Sequence, residues 1–222
     1  MSPRPRTASD EDILAATYRV ISSVGPRFTL ADVAKEIGLA PATLLQRFGS
    51  KKGLILAVLS SAGGISEDPY SRIRDKAATP LEAVFAYGDC FAQMAPTPEV
   101  LANHLAFLQM DLTDPDMHEL AFAQAKETRT LLRAWLDEAV AAGELKDSTD
   151  TAKLATAIQS MQGGSLLSWA ILREGNARRF LRRDLETLIE PYRTARGRTR
   201  KLARRSRGEN GPARRSPAKA GG

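Results

Sequence analysis

The sequence has little of what marks several large classes of protein. Its 222 residues include one cysteine, Cys90, which excludes an internal disulfide and is typical of a reducing cytosol. No run of about 18 apolar residues is present that could span a membrane. The N-terminus, MSPRPRTASDED, lacks the apolar core of a secretory signal. We therefore expect a cytoplasmic protein with no membrane partner.

Signatures of enzymes are missing as well. There is no Gly-rich phosphate loop, no G-x-S-x-G motif and no closely spaced pair of histidine ligands. The two histidines, His104 and His118, are fourteen residues apart with three aspartates between them, which is a weak pattern for a metal site. We predict that the protein is not an enzyme and holds no metal or cofactor.

Charge is distributed unevenly along the chain. Residues 193–222 hold eleven Lys or Arg and one Glu, a net of +10, so residues 1–192 must carry −4 to give the total of +6. Residues 1–60 hold eight basic and five acidic side chains, a net of +3, which leaves −7 for residues 61–192. A basic N-terminal part and a basic tail beside an acidic middle favour a nucleic-acid-binding module joined to a separate acidic module.

Residues 28–53, FTLADVAKEIGLAPATLLQRFGSKKG, predict two short helices around a glycine turn. Apolar residues at offsets 0, 3, 4 and 7 form one face of the first helix: Leu30, Val33, Ala34 and Ile37. Gly38 suits the reversal, since glycine adopts a positive φ without cost, and Pro41 fits the first turn of the second helix. Leu44 and Phe48 share the inward face of that helix.

The outward face of the second helix carries small and hydrogen-bonding residues: Ala42, Thr43, Gln46 and Arg47. In a major groove, Gln46 can pair with adenine, Arg47 with guanine and Thr43 with a base or phosphate, while Ala42 or Leu45 can touch a thymine methyl. Which of these side chains contact bases stays open.

Backbone contacts are expected at the ends of these helices. Ser50 can cap a following helix, whose free N–H groups together with Lys51 form a seat for a DNA phosphate. Thr29, a predicted cap of the first helix, and Lys51 are the residues we expect to hold the DNA backbone.

This unit, with an amphipathic helix before it, resembles the TetR family of transcriptional repressors over roughly residues 10–60. The family's characteristic positions are occupied by Thr29, Val33, Ala34, Gly38, Thr43, Leu44, Phe48 and Lys51. One departure is Leu45, where the family usually has a tyrosine that contacts the DNA backbone. The resemblance implies an all-α fold with an N-terminal three-helix DNA-binding domain containing a helix-turn-helix, and a C-terminal helical ligand-binding and dimerisation domain.

From Pro80 onward every segment is helical in pattern, with breaks at residues 96–98, Gly143 and Gly175. The resemblance implies that the last two helices form a homodimer interface, and we assign to it Gly163, Gly164, Leu167, Leu181, Leu185 and Leu188. It also implies a cavity for a small hydrophobic effector, for which the candidates are Phe85, Phe91, Met94, His104, Phe107, Met110, Phe122 and Trp169. The same aromatic residues at helical spacing are also typical of a plain core.

These observations divide the chain into five segments. We predict a disordered basic arm at 1–9, a DNA-binding domain at 10–61, a linker at 62–79, a regulatory and dimerisation domain at 80–192, and a disordered basic tail at 193–222. The expected function is a dimeric, ligand-responsive repressor of a palindromic double-stranded operator. The alternative is a non-specific architectural DNA-binding protein that uses the basic tail.

Overall fold

A computed structural model describes residues 8–61, here called the N-terminal unit, and residues 69–195, the C-terminal module. Most of the predicted arm, including Arg4 and Arg6, and the tail beyond residue 195 lie outside the described residues. Within the described ranges the chain forms ten α-helices and no strand, which confirms the predicted all-α fold. They are α1 (Asp10–Val24), α2 (Leu30–Ile37), α3 (Pro41–Phe48), α4 (Lys51–Ser60), α5 (Pro69–Lys76), α6 (Pro80–Gln93), α7 (Pro98–Thr113), α8 (Pro115–Ala141), α9 (Thr151–Leu172) and α10 (Ala177–Ile189).

Local capping sets the boundaries of the first two helices. Ser9 and Asp12 form a capping box at the start of α1, and Thr29 and Asp32 form another at the start of α2. The Asp32 carboxylate accepts the backbone N–H of Thr29 at 2.7 Å and its hydroxyl at 2.8 Å, and these bonds lower the Asp32 pKa. Gly38 ends α2 in the left-handed conformation, with φ 71° and ψ 32°, which confirms the predicted turn.

The N-terminal unit packs around Phe28, Leu44 and Leu54, all fully buried. Three residues from elsewhere complete this core, Phe107 and Met110 of α7 and Met117 of α8. The Phe28 and Phe107 rings lie 6.4 Å apart, centre to centre. The N-terminal unit therefore shares its core with the C-terminal module.

The C-terminal module has two apolar clusters of its own. The larger joins α6, α8, α9 and α10, and in it the Tyr87 and Trp135 rings meet edge-on with centres 6.5 Å apart. The smaller surrounds Trp169 and Phe180 near the end of α9. Burial of these faces explains why the helical spacing of apolar residues is so clear in the sequence.

The structure shows ordered elements inside two segments that were predicted as linker and tail. The linker assigned to residues 62–79 contains α5, which packs Ile73 against the larger cluster and pairs Arg74 with Glu138 at 2.7 Å. In the segment assigned to the tail from residue 193, Arg193 is buried against the Phe85 ring and the Thr194 N–H donates to the Glu144 carbonyl at 3.1 Å. Both segments are rich in charge, and their partners come from distant parts of the chain.

Candidate nucleic-acid interface

The second helix of the predicted helix-turn-helix is α3, which is anchored by Leu44 and presents its other side to solvent. Ala42 and Gln46 are exposed, Thr43 is half-buried, and Leu45 is 53% exposed. The predicted outward face therefore exists at Ala42 and Gln46. Their contacts with DNA stay predictions. Leu45 places an apolar side chain on the same surface, where the family pattern has a tyrosine.

Arg47 differs from the other residues of this face, because the protein itself binds its guanidinium. Nη1 donates to the Ala8 carbonyl at 2.7 Å, and Nη2 pairs with Asp10 Oδ1 at 2.7 Å. The acidic first turn of α1 lies beside the last turn of α3 and attracts the arginine. In this structure Arg47 is thus not the free, outward side chain that the sequence predicted.

At the start of α4, where a phosphate seat was predicted, the structure shows the helix cap but not the free ammonium group. Ser50 caps the helix, accepting the Gly53 N–H at 2.9 Å, as predicted. Lys51, however, turns inward. Its Nζ donates to the Pro26 carbonyl at 2.7 Å and lies 4.5 Å from the centre of the Phe28 ring. The ammonium group therefore faces the protein, which places Lys51 in the scaffold of the N-terminal unit.

The next residue, Lys52, joins the two parts of the protein. Its Nζ pairs with Asp114 at 2.8 Å and with Asp116 at 2.7 Å, both at the start of α8. Hydrogen bonding to Asp114 raises the Lys52 pKa, and the bond from Lys52 in turn lowers the Asp114 pKa. Sequence reasoning missed this contact, since no local pattern links residues 62 or more positions apart.

A second junction joins α1 to α7. Asn103 Nδ2 donates to the Ser22 carbonyl at 2.8 Å, and His104 Nε2 lies 3.2 Å from the Ser22 hydroxyl. The Tyr18 and His104 rings are 5.9 Å apart, centre to centre. Burial lowers the His104 pKa, so the neutral imidazole is favoured at this junction. His104 was predicted in an effector cavity, whereas the structure places it between the two parts of the protein.

The eight residues predicted to line an effector cavity do not come together. Phe107 and Met110 pack in the core of the N-terminal unit, Phe85 belongs to the larger cluster of the C-terminal module, and Phe91 and Trp169 belong to the smaller one. Met94 is exposed, as is Phe122 at 63%. Helical spacing placed each of these residues on an apolar face, but the faces belong to different clusters, so the predicted common lining is wrong.

The predicted dimer residues separate into two groups. Gly163, Gly164 and Leu167 lie on an exposed face of α9, and a Cβ added at either glycine would contact no other atom within 4 Å. Leu181 and Leu185 of α10 are 1% and 0% exposed, and they pack inside the protomer. Their assignment to an interface was wrong because their stripe faces α6 and α9. Leu188 is half-buried against the same core.

A buried polar group lies between α6 and α10. Asp89 accepts from Arg178 at 2.6 Å and from Arg182 at 2.7 Å through the same carboxylate oxygen, Oδ2. This network was missed, although an aspartate inside an apolar run and four arginines within residues 178–183 were visible in the sequence. These ion pairs connect α10 to α6, and we assign them a structural role.

Two features are absent from the described part of the chain, a cluster of metal ligands and a membrane-spanning helix. Within residues 8–61 and 69–195, no three His, Cys, Asp or Glu side chains are grouped so as to hold a metal ion. Over the same ranges, no helix is both long and apolar enough to cross a membrane.

The N-terminal unit matches a known protein family, and longer parts of the chain are similar to individual proteins. Residues 13–58 match the family model described as "Bacterial regulatory proteins, tetR family". The HTH-type transcriptional regulator BetI of Rhizobium meliloti (strain 1021) is 31% identical over 127 residues, which cover 54% of this chain and 60% of that protein. The match thus spans less than two thirds of the relative's length.

Over most of its length, the chain has a fold similar to those of several solved structures. A transcriptional regulator from Saccharomonospora viridis in complex with choline has a TM-score of 0.67 at 19% identity, covering 82% of this chain and 95% of the other. FadR from Bacillus subtilis in complex with stearoyl-CoA has a TM-score of 0.61 at 19% identity, covering 80% and 96%. Members of the matched family are transcription regulators and not enzymes. The N-terminal unit therefore matches the TetR family model over residues 13–58, and most of the chain shares its fold with these solved transcriptional regulators.

Proposed function

We propose that this protein is a homodimeric, ligand-responsive repressor that binds a palindromic operator through α3. The observation that carries the proposal is the outer face of α3, with exposed Ala42 and Gln46 and half-buried Thr43, on a unit that matches the family model over residues 13–58. Small and amide side chains on a short outer helix suit the major groove, where glutamine can pair with adenine. We call α3 the reading helix.

A second copy of the chain is the proposed occupant of the exposed face of α9. That face is nearly free of charge and carries Ala152, Thr156, Ser160, Gly163, Gly164, Leu167 and Ile171. Small residues allow another helix to approach closely, and apolar residues at its end gain from burial. A twofold dimer brings the same patch of both protomers together and sets two reading helices on successive turns of DNA.

Phe122 of α8 borders this face. Gln159 of α9 accepts from Arg129 at 3.0 Å and donates to the Ala125 carbonyl at 2.9 Å, so this side of α8 faces α9. Phe122 lies on the same side by helical register, at three and seven residues before them. Phe122 is exposed and the two glycines are open, so helical register sets a protruding ring and a recess on one side of the protomer, which supports a self-complementary contact.

The dimer is tested by the molecular mass of the purified protein in solution. Gly164→Leu and Phe122→Ser should convert a dimer to a monomer, whereas Leu112→Ser, at an exposed leucine of α7, should not. The single Cys90 permits a sharper experiment. In a Cys90→Ser background, a cysteine introduced at Gly164 should cross-link two chains on oxidation. A wild-type monomer would refute the dimer.

The effector proposal draws on the relatives and on the junctions between the two parts. Related regulators have been solved with choline and with stearoyl-CoA, and here α7 and α8 contact the N-terminal unit through Asn103, Phe107 and Asp114. A small hydrophobic effector in the C-terminal module would release DNA if it binds better to a state in which α7 or α8 is displaced. A compound screen by thermal shift, followed by release of bound operator, tests this.

DNA binding is tested by selection of preferred sequences from random DNA. We expect a palindrome with half-sites about 10 bp apart or a multiple of that spacing. The rival function, a non-specific architectural protein using the basic tail, predicts that a chain ending at residue 195 loses all binding. Specific binding that survives this truncation supports the regulator. Binding of the truncated chain to the selected and a scrambled sequence with equal affinity would refute it.

A further inference from the structure

The last turn of α3 is tied to the start of α1 by Arg47. The two guanidinium contacts described above are made by different nitrogen atoms, Nη1 to the Ala8 carbonyl and Nη2 to Asp10, and both distances are 2.7 Å. A planar guanidinium held at two points has a better defined orientation than a single ammonium charge would have. Arg47 therefore joins the reading helix to α1 in a defined geometry.

The reading helix needs such a joint because its own packing is slight. It has eight residues, of which Leu44 alone is buried, while Thr43 and Phe48 are half-buried. The residue that precedes it, Ala40, provides no side-chain cap. A helix with one deep anchor can turn about its axis, and a small turn redirects every side chain on its outer face. A polar contact one turn from the anchor restricts that rotation.

We propose that Arg47 is a positioning residue that fixes the rotation of α3, and that it does not itself read a base. Base recognition then falls to Thr43 and Gln46, with Ala42 and Leu45 beside them. This inference rests on the proposed DNA-binding function. It replaces the guanine contact that the sequence predicted for Arg47.

The test compares four variants on the operator selected by the wild type: Arg47→Ala, Asp10→Asn, both together, and the charge swap Asp10→Arg with Arg47→Asp. The measured quantity is the ratio of affinities for the operator and a scrambled sequence, because this ratio cancels the general effect of net charge on DNA binding. Each single change should lower the ratio by about two- to fivefold, in the range of a partly exposed ion pair. The double change should lower it no further, and the swap should recover part of the loss, because it restores the ion pair but an aspartate at position 47 cannot donate to the Ala8 carbonyl.

A base-reading arginine gives the opposite pattern. Arg47→Ala would then abolish the preference for guanine at one position, Asp10→Asn would leave the ratio unchanged, and the swap would fail to restore it. Under the positioning role, Arg47→Ala weakens the preference at several neighbouring positions without erasing one, and Arg47→Lys retains part of it. Repeating the sequence selection with each variant separates these outcomes.

A matched control comes from Arg19 and Glu36, a second exposed ion pair of the N-terminal unit, at 3.0 Å, that joins α1 to α2 and leaves α3 untouched. Arg19→Ala and Glu36→Gln should leave the specificity ratio at its wild-type value. Circular dichroism of all variants excludes loss of folding as the cause of a change.

The joint can also be tested without DNA. A double-mutant cycle on the thermal unfolding of Asp10→Asn and Arg47→Ala should show coupling between the two residues. Absence of coupling would overturn the positioning role even if the operator is bound. If the wild type selects no sequence, the proposed function fails, and the cycle still reports on the joint.

Discussion

The apolar clusters of the C-terminal module are built from helices of that module alone, whereas the core of the N-terminal unit includes Phe107 and Met117 from α7 and α8. The N-terminal unit, which is the most recognisable segment of the sequence, therefore does not form its hydrophobic core from its own residues alone. Asn103, His104 and the pair of Lys52 with Asp114 add polar contacts around this shared core. We infer from this difference that the stability of the N-terminal unit depends on the positions of α7 and α8.

The strongest test of this comparison is Phe107→Ala. Because the ring packs against Phe28, we expect a loss of about 3–5 kcal/mol of stability, the usual cost of deleting a buried aromatic ring. Hydrogen exchange should become faster in α1 and α4, although the substitution lies in α7. Leu108→Ala, at the next and largely exposed residue, is the control and should cost about 0.5 kcal/mol or less. Unchanged protection in α1 would show that the N-terminal unit closes by itself.

Gly25→Ala tests the tight approach of α7 to the end of α1. Gly25 has φ 71° and ψ −160°, and an added Cβ would lie 2.6 Å from the Asn103 side-chain oxygen. We expect a loss of about 1–3 kcal/mol from the backbone conformation, with a further cost from the contact. Asn103→Ala by itself loses the bond to the Ser22 carbonyl, so the contact cost is read from the coupling between the two substitutions in a double-mutant cycle. Gly175→Ala, at φ 66° in open space, measures the backbone cost of a positive φ elsewhere in the chain.

The His104 junction predicts a smaller, pH-dependent effect. Burial lowers the pKa of His104 in the folded protein, so the unfolded chain binds a proton at a higher pH than the folded one does. Its contribution to stability is fully present above the ordinary histidine pKa of about 6.5 and is lost as pH falls through the lower folded value.

Thermal unfolding between pH 7.5 and pH 5 should show this slope in the wild type. His104→Gln should flatten it, because glutamine has no charge to gain, whereas His118→Gln, at the exposed histidine, should leave it unchanged. A slope that survives His104→Gln would assign the proton uptake to another group.

Lys52→Gln should have the smallest effect. Its ion pairs with Asp114 and Asp116 are exposed to solvent, and salt screens such pairs. We expect a small decrease in melting temperature at low salt that disappears at high salt, and a weaker coupling of effector binding to DNA release. Lys35→Gln, at an exposed lysine of α2, provides the control. An equal response of the two variants would show that the pair does not join the two parts.

Much of the fold could be predicted because its signals are local. Thr29 and Ser50 cap helices as expected, since a cap bonds to backbone groups within three residues. The candidate sites were harder to predict. Helical spacing placed Phe122 and Leu185 equally well on apolar faces, yet one is exposed and the other lies in the core. Spacing identifies a face but not the element that covers it.

Lys51 and Lys52 show the limit most clearly. By itself, the sequence determined the start of α4, the cap at Ser50 and the match of residues 13–58 to the TetR family model, because these depend on residues close together in the chain. Only the tertiary structure decided that Lys51 turns to the Pro26 carbonyl, that Lys52 reaches Asp114, and that Arg47 is held by α1. The partner of a long charged side chain is the nearest opposite charge or carbonyl in space, and packing of distant segments brings that partner into reach.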